Sequence, residues 1–559
     1  MGLLKKKKGK GLAESGALAR SSAGRQTSSL RPKPTTKLPP CTGGCPQGID
    51  IRSVLTTIAF GEKYGKTRDE SYEEAWNIFT DKNPLPAVIG RVCPHPCEVN
   101  CNRKDKDKPL AINNVERFIG DFGIKNNLAH KPAEEKFDEK VAVIGAGPAG
   151  LGCAFHLAKL GYSVTIYEAF SKAGGMLYYG IPEYRLPREV LDAEIQKILD
   201  MGVELKTNCN IGNDITLDEL KKENKAIFVS IGAHKGLKLR VEGEDAEGVY
   251  TGVEFLNRIN SGEKIELGKN VVVVGGGDTA IDAARISVRM GAKVTLLYRR
   301  TKAEMPAIDE EIDETEIEGI DIQYLATPIE ILKSGEKLRA IKAIRMELGE
   351  PDDSGRRRPV PIEGSEFEIE MDTLIPAISQ EPDFNGMEIL KAGPKDWIKT
   401  DERFKVDGTI YAGGDVLNLG LVTDAIGHGR AAAETIHRDF RGIPHPEHEE
   451  MPGITSDKMR LEHYEAGERH EEKHLSLDER FETFNIEIAQ TITEDDVLAE
   501  ATRCMSCGYC FDCGKCWEFC QDGAIAKNEP GEIYTYKDNL CTGCKKCAEE
   551  CPCGFLEMQ

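Results

Sequence analysis

From position 140 the chain falls into blocks in which a short apolar run leads into a glycine turn and then into apolar residues at helical spacing. KVAVIG, PAGLGCAFHLAKLG and SVTIYEA predict a strand, a helix and a strand over 140–169. NVVVVGG, TAIDAARISVRMG and AKVTLLYRR repeat that series over 270–300. The repetition predicts an α/β fold with two Rossmann-like dinucleotide-binding domains. Upstream, 39–135 carries helical patterns such as SYEEAWNIFTDKN and NNVERFIGDFGIKNNLA, with cysteines in the loops between them. Downstream, 441–500 is dominated by charge, with 17 acids against 6 bases, and reads as a solvated acidic linker. Residues 1–38 are basic, end in a proline-rich stretch and are expected to be a disordered tail. The longest apolar run, 141–155, is broken by glycines, so no membrane span is expected.

Composition sharpens the picture where it concerns cysteine and charge. The 559 residues allow several domains and a sizeable core, so the 18 cysteines are not needed as disulfide staples. Five lie at 41–101, eleven at 504–553, and only Cys153 and Cys209 fall between. Clusters of that kind in a long chain point to metal, and hence to a reducing, cytoplasmic setting. The net charge of −21 argues against general nucleic-acid binding.

The first glycine loop, Gly145-Ala146-Gly147-Pro148-Ala149-Gly150, follows a strand and opens a helix. Gly145 permits the turn, Gly147 admits a pyrophosphate, and Gly150 lets helix and strand pack closely. Glu168 ends the next strand, where a carboxylate accepts ribose hydroxyls. The second loop, Gly275-Gly276-Gly277-Asp278-Thr279-Ala280, is followed by Arg299 and Arg300 in place of an acid. Guanidinium groups suit a 2′-phosphate, which Glu168 would repel. FAD is therefore expected at the first loop, and NADP(H) or NAD(H) at the second. Gly414 and Asp415 end a short strand, and Ala425 lies at the start of the following helix, as flavin ligands would. The loop with Gly175, Met176, Leu177 and Gly180 is expected beneath the flavin ring. No cysteine pair accompanies it, so electrons must leave the flavin by another route. No side chain is required as a catalytic acid or base.

That route is legible near 510. Cys510-x2-Cys513-x2-Cys516-x3-Cys520 and Cys541-x2-Cys544-x2-Cys547-x3-Cys551 are ferredoxin-type runs. In such pairs the fourth cysteine crosses over, which groups Cys510, Cys513 and Cys516 with Cys551, and Cys541, Cys544 and Cys547 with Cys520. Two [4Fe–4S] clusters are expected there, and Cys504, Cys507 and Cys553 are left over. The five thiols of 41–101 suffice for one more cluster.

GRVCPHPCEVNC, GAGPAG, GGGDTAID and AGGDV, in this order, resemble the glutamate synthase small-subunit family. The resemblance covers roughly 39–440. It implies a helical iron–sulfur domain at 39–135, an FAD domain in two parts (136–250 and 379–440), and an NAD(P)H domain inserted at 251–378. It also implies a non-cysteine cluster ligand near INNVERF, at Glu116, beside Cys45, Cys93 and Cys97, with Cys41 and Cys101 as alternates. Relatives hold two clusters in this domain, but this chain lacks their upstream CxxC pair. The ferredoxin unit at 501–559, together with TSSLRPKPTTKLPPC, resembles the DsrL-type flavoproteins that partner dissimilatory sulfite reductase. The resemblance implies an NAD(P)H:acceptor oxidoreductase working with a redox protein, in either direction. Input to glutamate synthase, a bifurcating complex or a non-catalytic wiring subunit stay open at this point, as does a homodimer.

Overall fold

A computed structural model describes residues 27–352, 355–391, 397–446 and 451–559. Two parallel sheets carry the two dinucleotide units. The first has six strands in the order Lys405–Asp407, Ile410–Ala412, Ala226–Val229, Lys140–Ile144, Ser163–Tyr167 and Glu204–Lys206, with only the outermost antiparallel. Its central strand serves two cores by simple alternation. Val141 and Val143 face one, Ala142 and Ile144 the other. The second sheet runs Thr373–Pro376, Asn270–Val274, Lys293–Tyr298 and Asp321–Tyr324, all parallel. Val271 and Val273 again face away from Val272 and Val274. The second core of this unit is closed by an antiparallel sheet over residues 326–370, through Ile331, Ile341 and Ala343.

The chain passes between the units twice, and both passages pair. Lys235–Gly236 lies antiparallel to Gln380–Glu381, and Leu237 N–H donates to the Ser379 carbonyl at 3.0 Å. The inserted unit thus hangs on a two-stranded ribbon. The helix Val422–Arg441 returns to the first unit and crosses the helix Pro148–Lys159 at Gly429 and Gly152. A Cβ at Gly429 would strike the Ala149 carbonyl, so glycine sets how closely these helices approach. The N-terminal helices Pro86–Val92 and Ile112–Lys125 cross likewise at Gly90 and Gly120. The amides that open Pro86–Val92 are capped from another domain: Glu194 accepts Ala87 N–H at 2.8 Å and Val88 N–H at 2.9 Å.

Two segments expected as solvated chain are built in. Residues 1–26 lie outside the described residues, but Pro32–Pro34 pairs antiparallel with Leu556–Met558, and Lys37 Nζ donates to the Gly554 carbonyl at 2.6 Å. A lone edge strand in a small unit needs such a partner. The acidic stretch 441–500 lies against the body where it is described. Glu487 accepts from Arg91 at 2.7 Å and from Arg117 at 2.8 Å, both arginines of the N-terminal helices. Ile488 enters the second unit's core, and Ile492, Val497 and Ala501 enter the helical one. Glu472, Glu487 and Glu494 are paired with the cations Arg117, Arg91 and Arg68 of the N-terminal domain, which local charge counting does not reveal.

Candidate functional site

The first glycine loop sits at the centre of the six-stranded sheet, where it lines a cleft of about 330 Å³. Gly145 has φ +98°, and a Cβ on it would strike the Ser230 carbonyl. A Cβ at Gly150 would strike the Gly145 carbonyl, so this glycine packs helix on strand and does not line the cleft. Gly147 faces open space, its nearest neighbour being Gly175 Cα at 3.8 Å from a built Cβ. Glu168, 5% exposed, accepts Ala146 N–H at 2.7 Å and Phe170 N–H at 2.8 Å. Burial raises its pKa, and those amides partly offset the rise. Pro148, Ala149, Gly175, Met176, Gly414, Asp415 and Ala425 line the cleft as the sequence predicts.

Two residues do not. Leu177 is fully buried in the core of the first unit. Gly180 closes a turn by donating to the Met176 carbonyl at 2.9 Å. The helical period of 176–179 places them behind the lining. Asn210, Ser230 and His234 line the cleft without a sequence signal. Burial pushes the His234 imidazole down to about 4, and its Nδ1 has no hydrogen-bond partner. A buried acceptor left open in a cleft of this length, with helix amides at one end and a strand-end acid beside them, fits FAD.

The second cleft is lined by Gly275, Gly276, Gly277 and Thr279. Ala280 is fully buried and does the packing done by Gly150 in the first loop. Asp278 turns away, its carboxylate accepting Ile308 N–H at 3.2 Å. Arg299 is exposed at the cleft wall, and burial of part of its length, then the Arg300 charge, lowers its pKa. Arg300 lines the cleft but is committed elsewhere. It is 3% exposed and donates to Asp352 at 2.6 Å and to the Arg357 carbonyl at 2.7 Å. Arg356, distant in sequence, lines the same cleft. Asp415 and Gly420 line both clefts, so the two meet at the start of the helix Val422–Arg441. Burial raises Asp415 to about 6.

The cysteines gather into four groups. Cys45, Cys93 and Cys97 face one another and Glu116, a buried carboxyl held by Asn83 Nδ2 at 2.8 Å. Burial first, and then the Glu116 charge, push the Cys93 thiol up to about 12. Cys93 also faces Thr423, in the first turn of the helix that borders the flavin cleft. Cys510, Cys513, Cys516 and Cys551 line one pocket, and Cys520, Cys541, Cys544 and Cys547 another, the crossing that the spacing predicts. Cys41 and Cys101 stand apart from Glu116, in a pocket with Cys504 and Cys507. Cys553 lines the same pocket as Cys551, with the two sulfurs 3.8 Å apart. Among the described residues no three His, Cys, Asp or Glu side chains are arranged to hold a single metal ion. Zinc holds its sulfurs about 2.3 Å from one ion, whereas cluster thiolates bind separate irons and stand wider apart. Cys153 is buried in the core, and Cys209 is the one thiol that lines the flavin cleft.

Two dinucleotide clefts that share a wall, with cysteine centres behind it, define an FAD- and NADP-dependent oxidoreductase with an iron–sulfur domain. The chain belongs to the pyridine nucleotide-disulphide oxidoreductase family, which its residues 139–429 match. Residues 34–128 match the 4Fe–4S domain II of dihydropyrimidine dehydrogenase. The NADP(+)-dependent formate dehydrogenase subunit beta of Moorella thermoacetica is 38% identical over 84% of this chain and 70% of its own length. The NADPH-Fe(3+) oxidoreductase subunit beta of Geobacter sulfurreducens is 44% identical over 62% of this chain and 51% of its own. The glutamate synthase [NADPH] small chain of Escherichia coli is 35% identical over 65% of this chain and 82% of its own. The chain thus spans between half and four-fifths of the length of these relatives. No helix among the described residues is long and apolar enough to cross a membrane.

Proposed function

We propose that this chain is the NAD(P)H-oxidising, electron-delivering subunit of a redox complex, and that it passes electrons singly to a protein partner or draws them back from it. One observation carries the reading. The loop from Asp415 to Gly420 borders both the nicotinamide and the flavin cleft, and the helix it leads into, Val422–Arg441, faces the Cys93 thiol through Thr423. When bound, a flavin accepts a hydride from NAD(P)H and hands on electrons one at a time. The residues here position and insulate that exchange. Gly147 would open the loop to the pyrophosphate at the start of the helix Pro148–Lys159, Glu168 would lie beside the ribose, and Asp415 with the amides after Leu421 would lie at the ring end. Arg299 and Arg356 border the nucleotide's phosphate end. Cys45, Cys93, Cys97 and Glu116 would hold the cluster next to the flavin, and the two crossed cysteine groups those furthest from it. A cytoplasmic setting suits so many free thiols.

For the partner, dissimilatory sulfite reductase is our reading. It is supported by the two segments that carry the DsrL-type resemblance, which lie against each other: Lys37 N–H donates to the Gly508 carbonyl at 3.2 Å. The test is an anoxic titration of the iron-loaded chain with NADPH and then NADH, followed by addition of oxidised sulfite reductase. Bleaching of flavin and cluster absorbance by NADPH, reversed by the reductase, is expected. No bleaching by either nucleotide would leave a passive wiring subunit. Bleaching that the reductase does not reverse would send the search to other acceptors, such as a formate dehydrogenase or glutamate synthase subunit.

A further inference from the structure

Cys504 and Cys507 have no place in the ferredoxin runs, and Cys41 and Cys101 have none beside Glu116. The fold brings these four together although more than 400 residues separate the pairs. We propose that Cys41, Cys101, Cys504 and Cys507 hold a further [4Fe–4S] cluster, built half from the N-terminal helical domain and half from the ferredoxin unit. The inference rests on reading the chain as an iron–sulfur electron carrier.

Three observations support it besides proximity. The pocket matches the two ferredoxin pockets in size. The loop also has the backbone of a cluster-binding loop. In Cys510–Cys513 and Cys541–Cys544 the residue before the second cysteine and the one after it have positive φ: Asp512 at +54° and Gly514 at +82°, Gly543 at +75° and Lys545 at +70°. In Cys504–Cys507 the same positions are Ser506 at +47° and Gly508 at +74°. Ser506 N–H points at Cys504 Sγ at 3.5 Å, as Gly543 N–H points at Cys541 Sγ at 3.4 Å. Serine and aspartate hold left-handed backbone only where the surroundings enforce it. Lastly, the charge is right. Four thiolates around a cluster leave a net negative centre, and Arg52 lines the pocket together with Arg103, which also pairs with Asp107 at 2.6 Å, with no acid among the pocket walls. Arg52 Nε makes no hydrogen bond, and Asn102 Nδ2 donates to Cys507 Sγ at 3.7 Å.

The position gives the centre a role. Cys41 and Cys45 lie at the two ends of the short helix Pro40–Gly44, and Cys97 lies within the turn Pro96–Val99 with Cys101 two residues beyond it. One residue of each pair faces Glu116, the other the composite pocket. On the far side Tyr464 stacks on Phe511 with centroids 6.1 Å apart, between Cys507 and Cys513. The centre would therefore bridge the flavin-side cluster and the ferredoxin unit. Each thiol would lose its proton on binding iron, and the single electrons that the flavin hands on would cross here.

The test compares full-length wild type with the Cys504→Ala/Cys507→Ala double variant, both purified without oxygen, for iron, sulfide and FAD. The variant should lose about four irons per chain and keep its FAD. Adding Cys41→Ala should remove no more, because all three changes empty one site, whereas adding Cys45→Ala should remove about four further irons. NADPH should still bleach the variant's flavin while the ferredoxin-unit EPR signals, visible with dithionite, stay silent. Equal iron in wild type and double variant, or a further loss on adding Cys41→Ala, would overturn the proposal. A wild type without iron would instead overturn the iron–sulfur reading itself. Should the double variant precipitate, Asn102→Leu replaces it. This change should shift the midpoint potential of one EPR signal while leaving iron content intact, and no shift in any signal would count against the site.

Discussion

The two dinucleotide units share a strand, a glycine turn and a helix, and differ at two positions. At the third glycine position the first unit has Gly150, jammed against the Gly145 carbonyl, while the second has Ala280, buried without a clash. At the end of the following strand the first has the buried Glu168 and the second the exposed Arg299. The scaffold therefore fixes where a dinucleotide lies, and one residue beyond it decides which phosphate or hydroxyl it may carry. The tightness of the turn is a separate matter. The first loop has no spare volume, and the second has room for a methyl group.

That difference sets the largest expected effect. Gly150→Ala forces a methyl into the Gly145 carbonyl and should strip FAD from the purified chain, read as flavin absorbance per protein. Ala280→Gly in the second unit should leave flavin content and NADPH oxidation within about twofold. Equal damage from both would show that the tightness of the first loop is not what distinguishes the two units. Next in size, Glu168→Gln should weaken FAD binding about tenfold (~1.4 kcal/mol), measured by flavin release on dilution, with NADPH kinetics of the flavin-loaded fraction unchanged. Arg299→Ala should raise the KM for NADPH about tenfold and leave that for NADH alone, and Arg356→Ala should do so more weakly. An equal loss for both nucleotides would remove the 2′-phosphate argument.

The smallest effect concerns how the second unit is held. Hydrogen bonds to Glu314 at 2.8 Å and to Glu472 at 3.1 Å raise His474 to about 9. A raised histidine contributes stability in full below its unfolded value near 6.5, and that contribution is lost as pH climbs through about 9. Hydrogen-exchange protection around 472–475, corrected for the intrinsic rate, should therefore fall between those pH values, with protection of the first unit's strands unchanged. His474→Gln should abolish that pH dependence.

What could be read in advance follows the same division. A glycine loop is contiguous, and its strand, turn and helix lie within about thirty residues. Local spacing was therefore enough for Gly145, Gly275 and the crossed ferredoxin cysteines. It misplaced Leu177 and Asp278, because a residue inside the right loop can still point behind it. Arg300 carries the right charge, but Asp352, 52 positions on, claims it. Cys504 and Cys507 looked superfluous because their counterparts, Cys41 and Cys101, lie at the far end of the sequence. The acidic stretch looked solvated because its cationic partners, Arg91 and Arg117, belong to another domain. The misreadings of Arg300, the surplus cysteines and the acidic stretch turn on contacts between residues remote in sequence, whereas that of Leu177 turns on the direction of a side chain within its own loop.

The pairing of Pro32–Pro34 with Leu556–Met558 bears on biosynthesis. About 520 residues lie between them, so at ribosomal rates the first strand waits on the order of half a minute or longer before its partner emerges. In that interval the helical domain and both glycine loops can fold, while Cys41 and Cys101 face solvent with half of their pocket still unmade. Maturation of this chain is thus ordered by translation itself, flavin sites first and the clasped end last. A cell exposed to oxygen during synthesis would damage those two thiols before it touched the finished protein.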